Sequence, residues 1–328
     1  MNALTIIRRA RRCARSAAVC AALALPFAAH AQQVGVGTMA QGTLGYSIGS
    51  AIAKVLADNG IGARVQPAGG TSAYLPLLES GELDFGIANV VETTEAMAGD
   101  GPFAGRKLGN LRAVSVLFPF RVGLFVKADS GIERIEDLKG RSVTYGYVSQ
   151  VTIRRVVDAL LANGGLKASD IKPVLVPNVV RGATDFASGK ADAAFFAIGA
   201  GKVAEVDASV GGIRFVPLSS TPEATKALKA VVPEAYIGTV KPGKSLAGIP
   251  RDTPAMMYDY LLVAGAHVKP QTVQKVVEVL NANKAALAAS FGAFNAFDPK
   301  TMAKDLPVQW HEGAQAAYTR LGQWPPKQ

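Results

Sequence analysis

The chain has 328 residues, 49% of them hydrophobic, with two cysteines, three histidines and a formal charge of +10 at pH 7. So few cysteines and histidines exclude a disulfide scaffold and a Cys/His metal centre, and no acidic spacing suits calcium. No stripe of Lys and Arg interleaved with aromatics argues for nucleic acid.

In chain order, Arg8, Arg9, Arg11, Arg12 and Arg15 open the sequence without an acidic residue. An apolar stretch from Ala17 to Ala29 follows, then Ala29-His30-Ala31 in the pattern of a signal-peptidase site. Residues 1–31 therefore read as a secretory signal, and the mature chain as a periplasmic protein beginning at Gln32. Both cysteines, Cys13 and Cys20, fall in that segment, as do five of the positive charges; the remaining 297 residues carry +5. Past it, no apolar run reaches the roughly 18 residues that a spanning helix requires.

The mature chain alternates short β-rich runs with helical periodicity, the pattern of parallel α/β sheets. Val34 to Gly37 is a strand entering a glycine-bearing loop. Leu44, Ile48, Ala51, Ile52, Val55 and Leu56 then recur at helical spacing up to Asn59-Gly60. A second strand, Ala63 to Pro67, leads to Gly69-Gly70-Thr71-Ser72 and a short helix, and a third spans Asp84 to Ala88. Ser80-Gly81-Glu82-Leu83-Asp84-Phe85 is echoed by Ser188-Gly189-Lys190-Ala191-Asp192-Ala193, as two similarly built halves would produce. Between them, Ala113 to Phe118 and Val122 to Val126 read as two strands broken by Pro119, and Ala255 to Ala264 as a long apolar strand. Trp310 and Trp324 read as packing residues. The expected division is residues 32–128 with 233–328 as a discontinuous first lobe and 129–232 as the second, joined by a hinge.

Gly45-Tyr46-Ser47-Ile48-Gly49 matches the G-x-S-x-G of a hydrolase elbow, but the helical periodicity places Ser47 inside a helix and only His267 and His311 remain as bases. A phosphate loop needs Lys and Ser/Thr after its second glycine; Thr43 and Leu44 stand there instead. The third use of such a loop is a helix N-terminus that offers free N–H groups to a carboxylate or polar group. Thr38, Met39, Gln41, Thr43 and Tyr46 are the candidate contacts of this first loop, and Gly70, Thr71 and Ser72 those of the second. A third loop, from the other lobe, contributes Tyr147, Ser149, Gln150 and Thr152. Asn89, Phe196 and Arg121 complete the set, Arg121 as a bidentate carboxylate clamp. Three such loops in a two-lobed chain describe a ligand cleft without catalytic residues, metal or cofactor.

Several stretches in this order resemble the TAXI-type solute receptors of TRAP transporters. They are Gly37, Thr38, Gly42 and Tyr46 with Gly49-Ser50-Ala51-Ile52-Ala53; Ala68-Gly69-Gly70-Thr71; Leu78 to Ile87; Asp129-Ser130-Gly131-Ile132 with Ile135 to Gly140; and His311-Glu312-Gly313-Ala314 with Tyr318. The resemblance implies a type II periplasmic binding protein fold. It also implies a monomeric receptor that closes on a small organic acid and presents it to a membrane permease driven by an ion gradient. Met39-Ala40-Gln41 and Tyr147 to Ile153 depart from the glycine-rich loops of that family, and Met39, Val148 and Val151 predict a more apolar pocket. The expected ligand is thus a carboxylate with an apolar portion. A sensory receptor feeding a membrane signalling protein would need the same cleft, and a serine hydrolase using Ser47 is the enzymatic alternative.

Overall fold

A computed structural model describes residues 33–326; the expected signal segment lies outside them. The first half of the fold runs β1 (Gln33–Met39), α1 (Leu44–Asp58), β2 (Gly62–Ala68), α2 (Thr71–Ser80), β3 (Phe85–Asn89) and α3 (Val90–Ala98). A 17-residue strand, β4 (Leu111–Lys127), then leads to the second half. That half comprises β5 (Ser142–Gly146), α4 (Thr152–Asn163), β6 (Lys172–Val176), α5 (Val179–Ala187), β7 (Ala193–Ala197), α6 (Gly201–Val210), β8 (Ile213–Phe215) and α7 (Pro222–Val231). The chain returns through β9 (Tyr236–Val240) and β10 (Thr253–Gly265), and finishes with α8 (Pro270–Ala282), α9 (Lys284–Ser290) and α10 (Glu312–Arg320).

The main strand order is β2-β1-β3-β10-β4-β7-β5-β6, which is one pattern laid down twice, back to back. β1, β2 and β3 are parallel, as are β5, β6 and β7, while β10 and β4 are antiparallel to β3 and β7 and to each other. The sequence echo has a physical cause. Asp84, just before β3, accepts the Gly35 N–H at 2.8 Å; Asp192, just before β7, accepts the Ser142 N–H at 2.9 Å. Each carboxylate pins the start of its strand to the neighbouring one. Gly81 and Gly189, both left-handed, turn the chain out of the preceding helix.

α1 forms as its periodicity predicts, with Ile48, Ile52, Val55 and Leu56 against the sheet. Each such side chain contributes roughly 1.5–3 kcal/mol when fully buried. Pro119 does not break β4. It lies in the stretch where β10 pairs on one side while β7 joins the other side only from Val122, so a missing donor is tolerated there. The C-terminal stretch returns to the first half. His311 Nδ1 accepts the Gly313 N–H as the cap of α10, Gly313 lies too close to the Pro270 carbonyl to admit a Cβ, and Tyr318 donates to the Val114 carbonyl at 2.7 Å. Trp310 packs edge-on against Tyr318 and Trp324. No helix among the described residues is long and apolar enough to cross a membrane.

Candidate ligand cleft

The C-terminal ends of β1, β3 and β7 and the starts of the helices after β1, β3, β5 and β6 surround one cavity between the two halves. This is where α/β sheets place ligands, because strand ends and helix N-termini leave backbone groups unpaired there. Thr43, Leu44 and Gly45 open α1, Asn89 caps α3, Thr152 and Ile153 open α4, and Val179 opens α5. The volume, about 40 Å³ for the centres of water-sized molecules, exceeds the roughly 10–15 Å³ that one water needs and admits a few waters.

One wall is aromatic. Phe120 stacks on Tyr260, with centroids 4.3 Å apart and planes at 11°, and meets Tyr258 edge-on at 5.3 Å. Phe195 and Phe196 from β7, with Met39, Ile153 and Val156, complete the apolar lining. Tyr258 and Tyr260 are each 2% exposed, yet neither hydroxyl makes a hydrogen bond among the described residues. Buried phenols ordinarily find a partner, so two unbonded ones beside a cavity are donors awaiting an acceptor. Burial raises both hydroxyls well above their ordinary range, with carboxylates adding to the rise, which keeps their protons on. The N–H groups of Leu44 and Gly45 precede the first bond within α1 and are likewise unbonded among the described residues.

Among the described residues, Glu92 is the only carboxylate or basic side chain in the lining. It pairs twice with the N-cap residue Asn89: its N–H donates to Asn89 Oδ1 at 3.0 Å, and the Asn89 side-chain Nδ2 donates to its Oε2. Burial, the largest influence, pushes its carboxyl up to about 7; the Thr71 hydroxyl opposes this, Glu95 adds to it and Asn89 opposes it. Thr71 Oγ1 lies near enough to favour the ionised form but makes no hydrogen bond of good geometry.

The halves meet around this cavity. Glu95 on α3 accepts from Thr152 Oγ1 at 2.5 Å and from Arg155 at 2.9 Å, both on α4. Gln150 donates to the Gly69 carbonyl at 3.3 Å while accepting the Val179 N–H at 2.9 Å. The Lys202 N–H reaches the Gly42 carbonyl at 3.3 Å. Gly70 lies so close to the Ser149 carbonyl that an added Cβ would fall well inside 3.0 Å of its oxygen.

Five sequence candidates line the cavity: Met39, Thr43, Asn89, Thr152 and Phe196. The Thr43 hydroxyl is spent on its own loop, donating to the Ala40 carbonyl and accepting the Tyr46 N–H. Gly70 and Gln150 stand instead at the contact between the halves, with Thr71, Ser72 and Ser149 next to them. The others lie elsewhere. Thr38 is buried with its methyl against Gly49, Gln41 is exposed, and Tyr46 lines a separate surface depression with Ser47 and Lys54. Tyr147, at φ 53°, turns its hydroxyl inward to Thr144 at 2.7 Å. Arg121 lines a different cavity with Ile198, Leu246 and Phe291. Alternate residues of a strand face opposite sides, and Phe120 holds the position toward the cleft. Val148 and Val151 are exposed, 75% and 39%, so the apolar lining comes from the aromatic wall instead.

Glu92, Phe120, Tyr258 and Tyr260 escaped the sequence reading. Two signals were present: Asn89 and Glu92 have capping-box spacing, and Tyr258 and Tyr260 are two apart on a strand, hence on one face. The glycines of G-x-S-x-G also have structural uses. A Cβ on Gly45 would lie 2.6 Å from the Tyr260 hydroxyl, and one on Gly49 would strike the Thr38 methyl. Ser47 sits within α1, its hydroxyl directed to the Thr43 carbonyl at 3.4 Å.

The model of the NMT1-like family matches residues 36–322, nearly the whole described chain. The chain belongs to this family. Among solved structures, the periplasmic aliphatic sulphonate binding protein SsuA from Escherichia coli is similar at a TM-score of 0.50 and 16% identity, over 90% of this chain and 89% of that one. The BvgS VFT2 domain of Bordetella pertussis aligns at 0.48 and 14%, over 80% and 93%. The first likeness, with the strand order above, shows the type II periplasmic binding protein fold for this NMT1-like chain.

Proposed function

We propose that the protein is a periplasmic solute receptor whose two lobes, 32–128 with 233–328 and 129–232, close on a small carboxylate-bearing organic solute. The observation that carries this reading is the pair of hydroxyls of the buried Tyr258 and Tyr260, unbonded among the described residues, in a cavity ringed by helix N-termini. Two phenol donors and the free N–H groups of α1 suit an anionic head, and the positive ends of four helices reinforce that preference. The aromatic wall suits an apolar body. Binding without chemistry fits a site whose one serine candidate is committed to its own helix. The name of the SsuA relative supports solute binding by analogy of fold. The sequence resemblance to TAXI-type receptors supports delivery to the membrane permease of a TRAP-type secondary transporter.

Thermal-shift screening tests the solute class. Saturation at a hundredfold excess over Kd stabilises by about 2.7 kcal/mol, a shift of several degrees for a chain this size. Small aryl or branched-alkyl carboxylates are expected to raise Tm, and the matching amines and sugars are not. A response confined to amines or sugars would refute the carboxylate reading.

A further inference from the structure

The receptor reading leaves one group in the cavity unexplained: a carboxyl where an anion is to bind. We propose that Glu92 binds the solute in its protonated form, donating a hydrogen bond from its carboxyl to the solute carboxylate, so that capture takes up one proton from solution. This rests on the receptor reading and assigns the pH regulation of the same site.

The geometry leaves little alternative for an anionic solute. Glu92 is 7% exposed and lies in the lining with Tyr258 and Tyr260. Asn89 Nδ2 occupies Oε2, and no hydrogen bond of good geometry ties down Oε1 among the described residues. Among the described residues, no basic side chain lines the cavity to neutralise two carboxylates together. The charged and titratable groups facing Glu92 are Glu95 on its own helix, Tyr74 on α2, and Tyr258 and Tyr260 on β10. All are acids. Arg155 on α4, which pairs with the neighbouring Glu95, is engaged there. Two carboxylates at one apolar site cannot both stay ionised, so one takes a proton. Glu92 is the one already displaced in that direction, its carboxyl pushed by burial up to about 7. An anion alongside raises it further. The proton moves from water to Glu92 Oε1, which then donates to the solute oxygen, while the solute remains ionised.

If only protonated Glu92 binds, affinity is flat below pH 7 and weakens about tenfold per pH unit above it. Glu92→Gln imitates the protonated acid, with an amide donor in place of the hydroxyl and a carbonyl left for Asn89. Isothermal titration calorimetry with benzoate, phenylacetate and isovalerate, at pH 5.5, 7 and 8.5, measures both quantities. At pH 8.5, titration in two buffers of different ionisation enthalpy is expected to show uptake of close to one proton per solute, falling toward zero at pH 5.5. In Glu92→Gln uptake disappears and the affinity becomes independent of pH. Binding of a carboxylate without proton uptake at pH 8.5 would overturn the proposal and leave the receptor reading standing. Failure of every carboxylate at pH 5.5, where the proposal expects the tightest binding, would overturn both. The wild-type buffer comparison needs no variant, so a folding defect in Glu92→Gln leaves the test intact.

Discussion

Replacing Gly70 by alanine tests whether the contact between the halves is a closure. Gly70 has φ −172° and ψ 169°, extended backbone that alanine adopts freely, so the substitution brings no local strain. What it brings is a methyl group against the Ser149 carbonyl of the other half, well inside the 3.0 Å that real Cβ contacts respect. The two loops must part by roughly 1 Å, and overpacking of this kind costs about 1–3 kcal/mol. If the contact forms only when the lobes close, that cost falls on the closed state alone and emerges as a 5- to 150-fold loss of affinity. Stability of the unliganded protein changes little, within the roughly 1 kcal/mol that a helix N-cap substitution commonly costs. Gly69, one residue earlier, is the control, because a Cβ there meets nothing within 4 Å. Calorimetric titration with the best-binding carboxylate, beside thermal melts of both variants, reads the difference. Wild-type affinity in Gly70→Ala, or an equal loss in Gly69→Ala, would refute the closure argument.

Three other predictions follow from named groups. The Glu92 carboxyl is raised to about 7 from an ordinary value of 4.5, so its favourable contribution is complete below the lower figure and lost as pH rises through the higher. Urea unfolding should show Glu92→Gln gaining up to about 3 kcal/mol on wild type between pH 5 and pH 8, and parallel curves would contradict the burial argument. His311 caps α10 through an unprotonated Nδ1, and burial lowers its imidazole from the usual range. That contribution is present above the unfolded value and lost as pH falls through the folded one. Acidification should therefore cost about 1 kcal/mol more in wild type than in His311→Asn, whose amide oxygen caps at any pH. Arg121→Ala should leave carboxylate affinity within about twofold, because Phe120 and not Arg121 faces the cleft; a loss of tenfold or more would restore the clamp predicted from sequence.

The strands, the glycine loops and the helix positions of Ser47 and Leu44 were legible because local chemistry decides them. A helix cap, a left-handed glycine and a 3.6-residue period are written in neighbouring residues. The echo around Asp84 and Asp192 was visible, but its reason, a carboxylate bonded to the backbone of an adjacent strand, is a tertiary fact. Pro119 misled because its effect depends on whether a partner strand lies beside it. Arg121 and Tyr260 show the limit most clearly. Both lie on the two long antiparallel strands, and only the pleat and register of that pair decide which side chain meets the cavity. Val148, in a loop that departs from the glycine-rich family pattern, predicts an apolar lining, yet its loop turns it into solvent.

Native mass spectrometry of the protein, purified without denaturation and sprayed at pH 6, tests the central claim most directly. The account predicts one small organic acid per chain, or one added carboxylate retained at unit stoichiometry, and its loss in Gly70→Ala. A chain that carries no small molecule and retains none of the added carboxylates, or that retains a neutral or cationic compound in their place, would contradict it.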